Sequence, residues 1–154
     1  MTNMIPQAPN LNQGPWEDLE DYVRTTMVGG NKEAYIVMGN MGSGGYSSTG
    51  TLVTTIDGGR VTVPQKVWKV VLVLTKGNND LSRIDTSATI LAVNMPNDNR
   101  IYTTTGAGRT AWRNYITTIA ALEAEVNATG DYGLDMFKNI PATVRAYLKS
   151  KRFQ

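Results

Sequence analysis

Cysteine and histidine are both absent from the 154-residue sequence. Disulfides, thiolate nucleophiles, cysteine zinc sites, Ser/His/Asp triads and histidine metal ligands therefore cannot be built from this chain. Acid–base or metal chemistry within it falls to carboxylates, amides, lysine, tyrosine or backbone groups. No stretch approaches the ~18 uninterrupted apolar residues of a membrane span, so no membrane partner is expected. Residues 1–13 hold neither the basic nor the apolar region of a secretory signal. Charge of one sign is scarce as well. Fifteen Lys plus Arg against thirteen Asp plus Glu leave +2, which permits a polyanionic partner without requiring one. No internal repeat appears at any period. What is present, 41% hydrophobic and 18% charged residues, is the composition of one soluble globular domain.

Residues 1–14 are rich in Asn, Pro, Gln and Gly and read as irregular. From Pro15 to Met27 the apolar residues Trp16, Leu19, Val23 and Met27 recur on one helical stripe. Pro15 suits a first helical turn, Glu17 and Asp18 complement the positive end of the helix dipole, and Gly29 and Gly30 end it. Ala34 to Gly39 then reads as a buried strand, followed by a Gly/Ser-rich loop from Asn40 to Gly50. Val61 to Thr75 carries the strongest β signal, split in two at Pro64 and Gln65. Thr89 to Met95 reads as its antiparallel neighbour, joined through the polar segment Lys76 to Asp85. Trp112 to Thr117 is a short strand candidate. Thr118 to Thr129 predicts a helix stopped by Gly130, and Pro141 to Lys149 a final helix with Pro at its first position. Strands clustered mid-chain with helices on either side predict α+β: an antiparallel central sheet flanked by helices.

Two glycine patterns resemble nucleotide-binding loops and are better read as plain loops. Gly42, Gly44 and Ser47 miss the last glycine of a dinucleotide fingerprint, and no Gly-Lys-Ser/Thr follows. Gly106, Gly108 and Ala111 satisfy G-x-G-x-x-A but lack the strand before and the helix after. Asn127-Ala128-Thr129 is an N-glycosylation sequon at a helix end, where such triplets arise by chance.

Asn12 is the more informative residue. Extended back from Pro15, the helix puts Asn12 on the stripe of Trp16, Leu19 and Val23, so its amide is expected to face the protein body and to need a partner there. Two partners suit it: a helix end that it caps, or a hard cation such as Mg²⁺ that keeps most of its waters. Glu20 lies about 12 Å further along the axis, too far to share a directly bound ion but able to hold its water shell. Arg24 follows at i+4, placed for a surface ion pair with Glu20 or for a phosphate.

The run Thr2-Asn3-Met4-Ile5-Pro6-Gln7, with Asn10-Leu11-Asn12-Gln13-Gly14-Pro15-Trp16 and Leu19-Glu20, resembles the metal-site segment of the DNA/RNA non-specific endonucleases, a ββα-metal nuclease family. Similarity continues through Val61-Thr62-Val63-Pro64, Trp68-Lys69-Val70, Leu81-Ser82-Arg83, Phe137, Asn139-Ile140-Pro141 and Leu148-Lys149-Ser150-Lys151, and so spans nearly the whole chain. The resemblance implies a Mg²⁺ ion, or Mn²⁺, held by the Asn12 side chain and water. Asn3 would be a supporting active-site amide, Glu20 the carboxylate that orders metal-bound water, and Arg24 a substrate-binding residue. DNA and RNA would be the substrates, and family members are typically secreted, periplasmic or mitochondrial. In the family the general base is the His of an Asp-Arg-Gly-His motif upstream of the matching segment. That His, the Arg beside it and an earlier phosphate-binding Arg have no counterpart here. The expectation is a single domain over residues 1–154, the C-terminal portion of a non-specific endonuclease domain with its N-terminal part missing and Met1 matching an internal position. It would be inactive alone and completed by a segment or chain carrying Asp-Arg-Gly-His. A second reading is a non-catalytic nucleic-acid or protein-binding module on the same scaffold. A third has Glu20 or Asp21 replacing His as the base.

Overall fold

The computed structural model describes residues 4–154. Four strands form the central sheet in the order β1-β6-β7-β8, every neighbouring pair antiparallel. Strand β6 (Lys66–Thr75) lies at its centre, paired with β1 (Lys32–Met41) from Lys32 opposite Thr75 to Met41 opposite Lys66. On its other side β7 (Thr89–Pro96) runs from Lys66 opposite Pro96 to Val73 opposite Thr89. The short β8 (Ile116–Thr117) closes that edge against Ala92 and Val93. Two small hairpins, β2 (Gly45–Tyr46) with β3 (Leu52–Val53) and β4 (Thr55–Ile56) with β5 (Val61–Thr62), lie between β1 and β6.

The apolar run Val67 to Leu74 of β6, broken at Lys69, follows from its place in a three-layer stack. One face sends Val67, Val71 and Val73 with Leu91, Val93 and Met95 of β7 against Leu11, Trp16, Leu19, Val23 and Met27 of the helix spanning 9–27. The other sends Trp68, Val70, Leu72 and Leu74 against Ile119, Leu122 and Val126 of α2 (Ile119–Thr129) and Leu148 of α3 (Ala142–Ser150). The 9–27 helix is α1. Each fully buried Leu or Val contributes roughly 1.5–3 kcal/mol relative to exposure, so two apolar layers on one strand hold the stack together. Helix α2 starts where Thr118 Oγ1 accepts the Ala121 amide at 3.1 Å and stops at Gly130, whose φ of 74° suits glycine.

Several sequence expectations require correction. Helix α1 begins at Pro9, not Pro15, because Pro9 already satisfies the first-turn preference. It is not uniform: π-helical turns occupy Asn12–Trp16 and Val23–Met27 on either side of the α-helical Glu17–Tyr22. Residues 112–115 are not a strand. Gly106–Tyr115 coils as a 3₁₀ stretch and only Ile116–Thr117 pairs, since Trp112 is fully buried against α1 and donates Nε1–H to Asp18 Oδ2 at 2.9 Å. Pro141 flanks α3 and does not open it. Strand β1 is longer than Ala34 to Gly39 and is not buried: it is the free edge of the sheet, and Tyr35, Ile36 and Val37 are exposed. The break at Pro64 and Gln65, the antiparallel β6–β7 pair and the helix ending at Gly130 match expectation.

Gly39 of β1 has no room for a side chain. A Cβ there would lie 2.5 Å from Trp68 Cζ2 and 3.1 Å from the Tyr132 hydroxyl, which itself accepts Trp68 Nε1–H at 3.0 Å. Gly39→Ala should therefore destabilise by about 1–3 kcal/mol, read as a lower urea midpoint with unchanged slope.

Candidate active site

The path of α1 is set by amides other than Asn12. Asn97, buried beneath the segment that leads into the helix, accepts the Ala8 amide on Oδ1 at 2.7 Å and donates Nδ2–H to Pro6 and Pro64 carbonyls at 3.0 and 2.9 Å. Asn10 donates its side-chain amide to the Asn99 and Tyr102 carbonyls, both at 3.0 Å, while its backbone N–H meets Asn99 Oδ1 at 2.8 Å. These contacts pin the first turn of the helix to the β7–β8 connection. Single neutral amides gave no sequence signal for this work, because all but one of these partners lie about ninety residues away.

Gly14 then kinks the helix, with φ −115° and ψ −105°, where a Cβ would sit 2.6 Å from the Thr103 carbonyl oxygen. The extra residue of the π turn shifts the helical phase. Leu11, fully buried, takes the inward position expected of Asn12, and Asn12 is exposed. Nor does it cap the start of the helix, which Ala8 flanks. Both the inward orientation and the capping role expected of Asn12 are overturned. Asn12 thus stands at the surface, on a π turn.

Two turns on, Glu20 and Arg24 line a cleft of about 460 Å³ between α1 and β1, with Val23, Val28, Ala34, Ile36, Met38 and Lys69. The expected Glu20–Arg24 pair does not form. Arg24, with its side chain 73% exposed, pairs with Asp21 on the same helix. Glu20 instead accepts Lys69 Nζ on Oε1 at 2.8 Å. The Glu20 side chain is 49% exposed and that of Lys69 only 4%, and the Lys69 ammonium lies 4.2 Å from the Trp16 ring centroid. Burial pushes the Lys69 ammonium below its usual pKa, and the hydrogen bond and charge of Glu20 pull it back up. Lys69 is thus a functional candidate that composition and spacing passed over, although one charge inside the apolar run Val67 to Leu74 was its visible signal.

The structure therefore brings Asn12, Glu20 and Arg24 to exposed positions on one helix, with Glu20 and Arg24 in one cleft. Asn3 lies outside the described residues. Among the described residues no group of three or more acidic, His or Cys side chains converges as a metal cage. The available donors, one amide oxygen and one carboxylate, fit a hard cation that retains most of its water and do not fit a fully protein-ligated one.

Comparison with known proteins agrees with this architecture. The family model described as DNA/RNA non-specific endonuclease matches residues 1–143. A nuclease from Nostoc sp. (strain PCC 7120 / SAG 25.82 / UTEX 2576) is 34% identical over 151 residues, covering 98% of this chain and 47% of the relative. The chain thus spans about half the length of that curated relative. Among solved structures, one from the crystal structure of the EndoG/EndoGI complex, described as showing the mechanism of EndoG inhibition, superposes with a TM-score of 0.60. Sequence identity there is 20%, with 93% of this chain and 51% of the other covered. It shares the fold, helices around an antiparallel sheet as in the ββα-metal nucleases. On the family match over residues 1–143 and the identity to the Nostoc nuclease, this chain belongs to the DNA/RNA non-specific endonuclease family.

Proposed function

We propose that this chain supplies the metal-helix half of a Mg²⁺- or Mn²⁺-dependent endonuclease that hydrolyses phosphodiester bonds of DNA and RNA, and that alone it is catalytically silent. The observation that carries this reading is the release of Asn12 from the core by the Gly14 kink, two turns before a carboxylate held at the cleft. Asn12 would give its amide oxygen to the ion, and Glu20 would hold water of the ion's shell through the oxygen that Lys69 does not engage. Arg24 would exchange its surface contact with Asp21 for a substrate phosphate, an exposed pair of this kind being worth at most about 1 kcal/mol. The bound ion would neutralise charge on the scissile phosphate and its leaving oxygen. Asn3 enters on resemblance alone. Residues 1–154 act in this reading as the C-terminal portion of one endonuclease domain. Activating the attacking water needs a base, and with no His in the chain that base comes from an upstream segment or separate chain carrying Asp-Arg-Gly-His.

Metal binding tests this reading without cleavage. The purified chain should bind Mn²⁺ weakly in water-proton relaxation titrations, because one neutral oxygen and one water-mediated carboxylate offer little charge. Asn12→Ala should abolish the binding, and unchanged affinity in that variant would remove Asn12 as the ligand.

A further inference from the structure

Lys69 interrupts an apolar face of the central strand. On the face of β6 that packs beneath α1, Val67, Val71 and Val73 belong to the apolar layer, and between Val67 and Val71 stands a lysine only 3% exposed. Its cross-strand partners are Met38 and Val93. Removing an ammonium from water costs several kcal/mol, and an apolar side chain of similar volume in such a place is often neutral or stabilising. Stability therefore does not explain the charge. Two groups compensate it among the described residues, the Trp16 ring at 4.2 Å and Glu20 Oε1 at 2.8 Å. Trp16 is itself buried in the core, and among the described residues the one ion-pair partner of Lys69 is Glu20.

The two ends of this ion pair differ in freedom. Lys69 is anchored at mid-strand in a packed layer, whereas Glu20 is a half-exposed side chain on a helix surface. A Glu in that setting otherwise samples many rotamers, and ordinary surface pairs hold it weakly. Here one partner is already immobile, so the pair orders the carboxylate at little further entropic cost.

We propose that Lys69 is the positioning residue of the site: its buried ammonium, lodged against Trp16, pins one oxygen of Glu20 so that the other is held out for the hydrated divalent ion. The inference rests on the reading of Glu20 as the carboxylate that holds the ion's water shell. Partners of this outer kind typically change metal affinity by ~10-fold or more when removed.

The test is Mn²⁺ binding by water-proton relaxation on the whole chain in five forms: unaltered, Glu20→Ala, Lys69→Met, Lys69→Arg and the double variant of Glu20→Ala with Lys69→Met. Lys69→Met should weaken binding ~10-fold, and Lys69→Arg, which keeps the charge, should recover most of it. In the Glu20→Ala background Lys69→Met should cause no further loss, because taking a cation out of the site otherwise favours Mn²⁺. Thermal melts establish that each variant is folded, and Lys69→Gln provides the same comparison should the Met form fail to fold. Unchanged affinity in Lys69→Met, or an equal loss with and without Glu20, would overturn the positioning role while leaving Glu20 in place. Unchanged affinity in Glu20→Ala would remove the Glu20 assignment and the role of Lys69 with it.

Discussion

Purified alone, the chain should cleave plasmid DNA and RNA no faster than a metal-only blank. Loss of a positioned general base costs ~10²–10⁴-fold, and in the proposed reading the arginines of the upstream segment are wanting too, which would leave charge on the reacting phosphate uncompensated. Among the described residues the carboxylate of the cleft is committed elsewhere. Glu20 gives one oxygen to Lys69 and, in the proposed reading, its other to the water shell of the ion. Mixed with, or fused to, a family segment carrying Asp-Arg-Gly-His, the chain should regain metal-dependent cleavage of both DNA and RNA, since contacts to phosphate and sugar carry little base information. Asn12→Ala should abolish the regained activity and Glu20→Ala should reduce it. A gel assay of supercoiled plasmid and of RNA, with and without the segment, reads all of these outcomes. Cleavage by the isolated chain at the rate of the reconstituted one would require a resident carboxylate base. Failure of reconstitution together with salt-sensitive nucleic-acid binding would favour a binding module on the nuclease scaffold.

Local rules located most elements because their causes are local. Pro64 cannot join a ladder, Thr118 caps its own helix and Gly130 takes a left-handed φ, so the boundaries there are written within a few residues. Where the deciding contact was distant, the sequence misled. The phase of α1 depends on a two-residue choice, Leu11 or Asn12, that is settled by Gly14 meeting the Thr103 carbonyl ninety residues on. Trp112 looked like a strand residue by propensity, yet its indole is held by Asp18 in the 3₁₀ stretch. The site shows the same division. Asn12, Glu20 and Arg24 were visible as residues of one helix, but the partner of Glu20 was not, because the helical rule of i, i+4 neighbours points to Arg24 while the sheet beneath supplies Lys69. A polar residue inside an apolar run was the one available hint, and it marks a place where local rules and the fold disagree.

The same comparison applies to β1, whose sequence from Ala34 to Gly39 has the unbroken apolar character of a strand covered on both faces. In this chain it is the outer strand of the sheet, and its central residues Tyr35, Ile36 and Val37 are 41%, 51% and 50% exposed. The residues Val67 to Leu74 of the central strand are buried, so the uncovered apolar surface of the sheet is β1 itself. Residues 34–41 contain no charge and no proline, the devices by which natural edge strands resist pairing. Two copies of β1 set antiparallel would face Lys32 and Glu33 with the uncharged Met41 and Asn40, so no like charges oppose. The isolated chain should therefore self-associate through β1, and light scattering should give a mass above 16.8 kDa that rises with concentration. Ile36→Lys with Val37→Lys should return it to monomer while leaving the cooperative melt intact, because both side chains lie half in solvent. A family N-terminal segment that restores cleavage should also lower the mass of the unaltered chain to that of a one-to-one complex if it completes this edge. A chain that stays monomeric and melts cooperatively at every concentration would show that β1 tolerates water as it stands, and that the chain folds on its own.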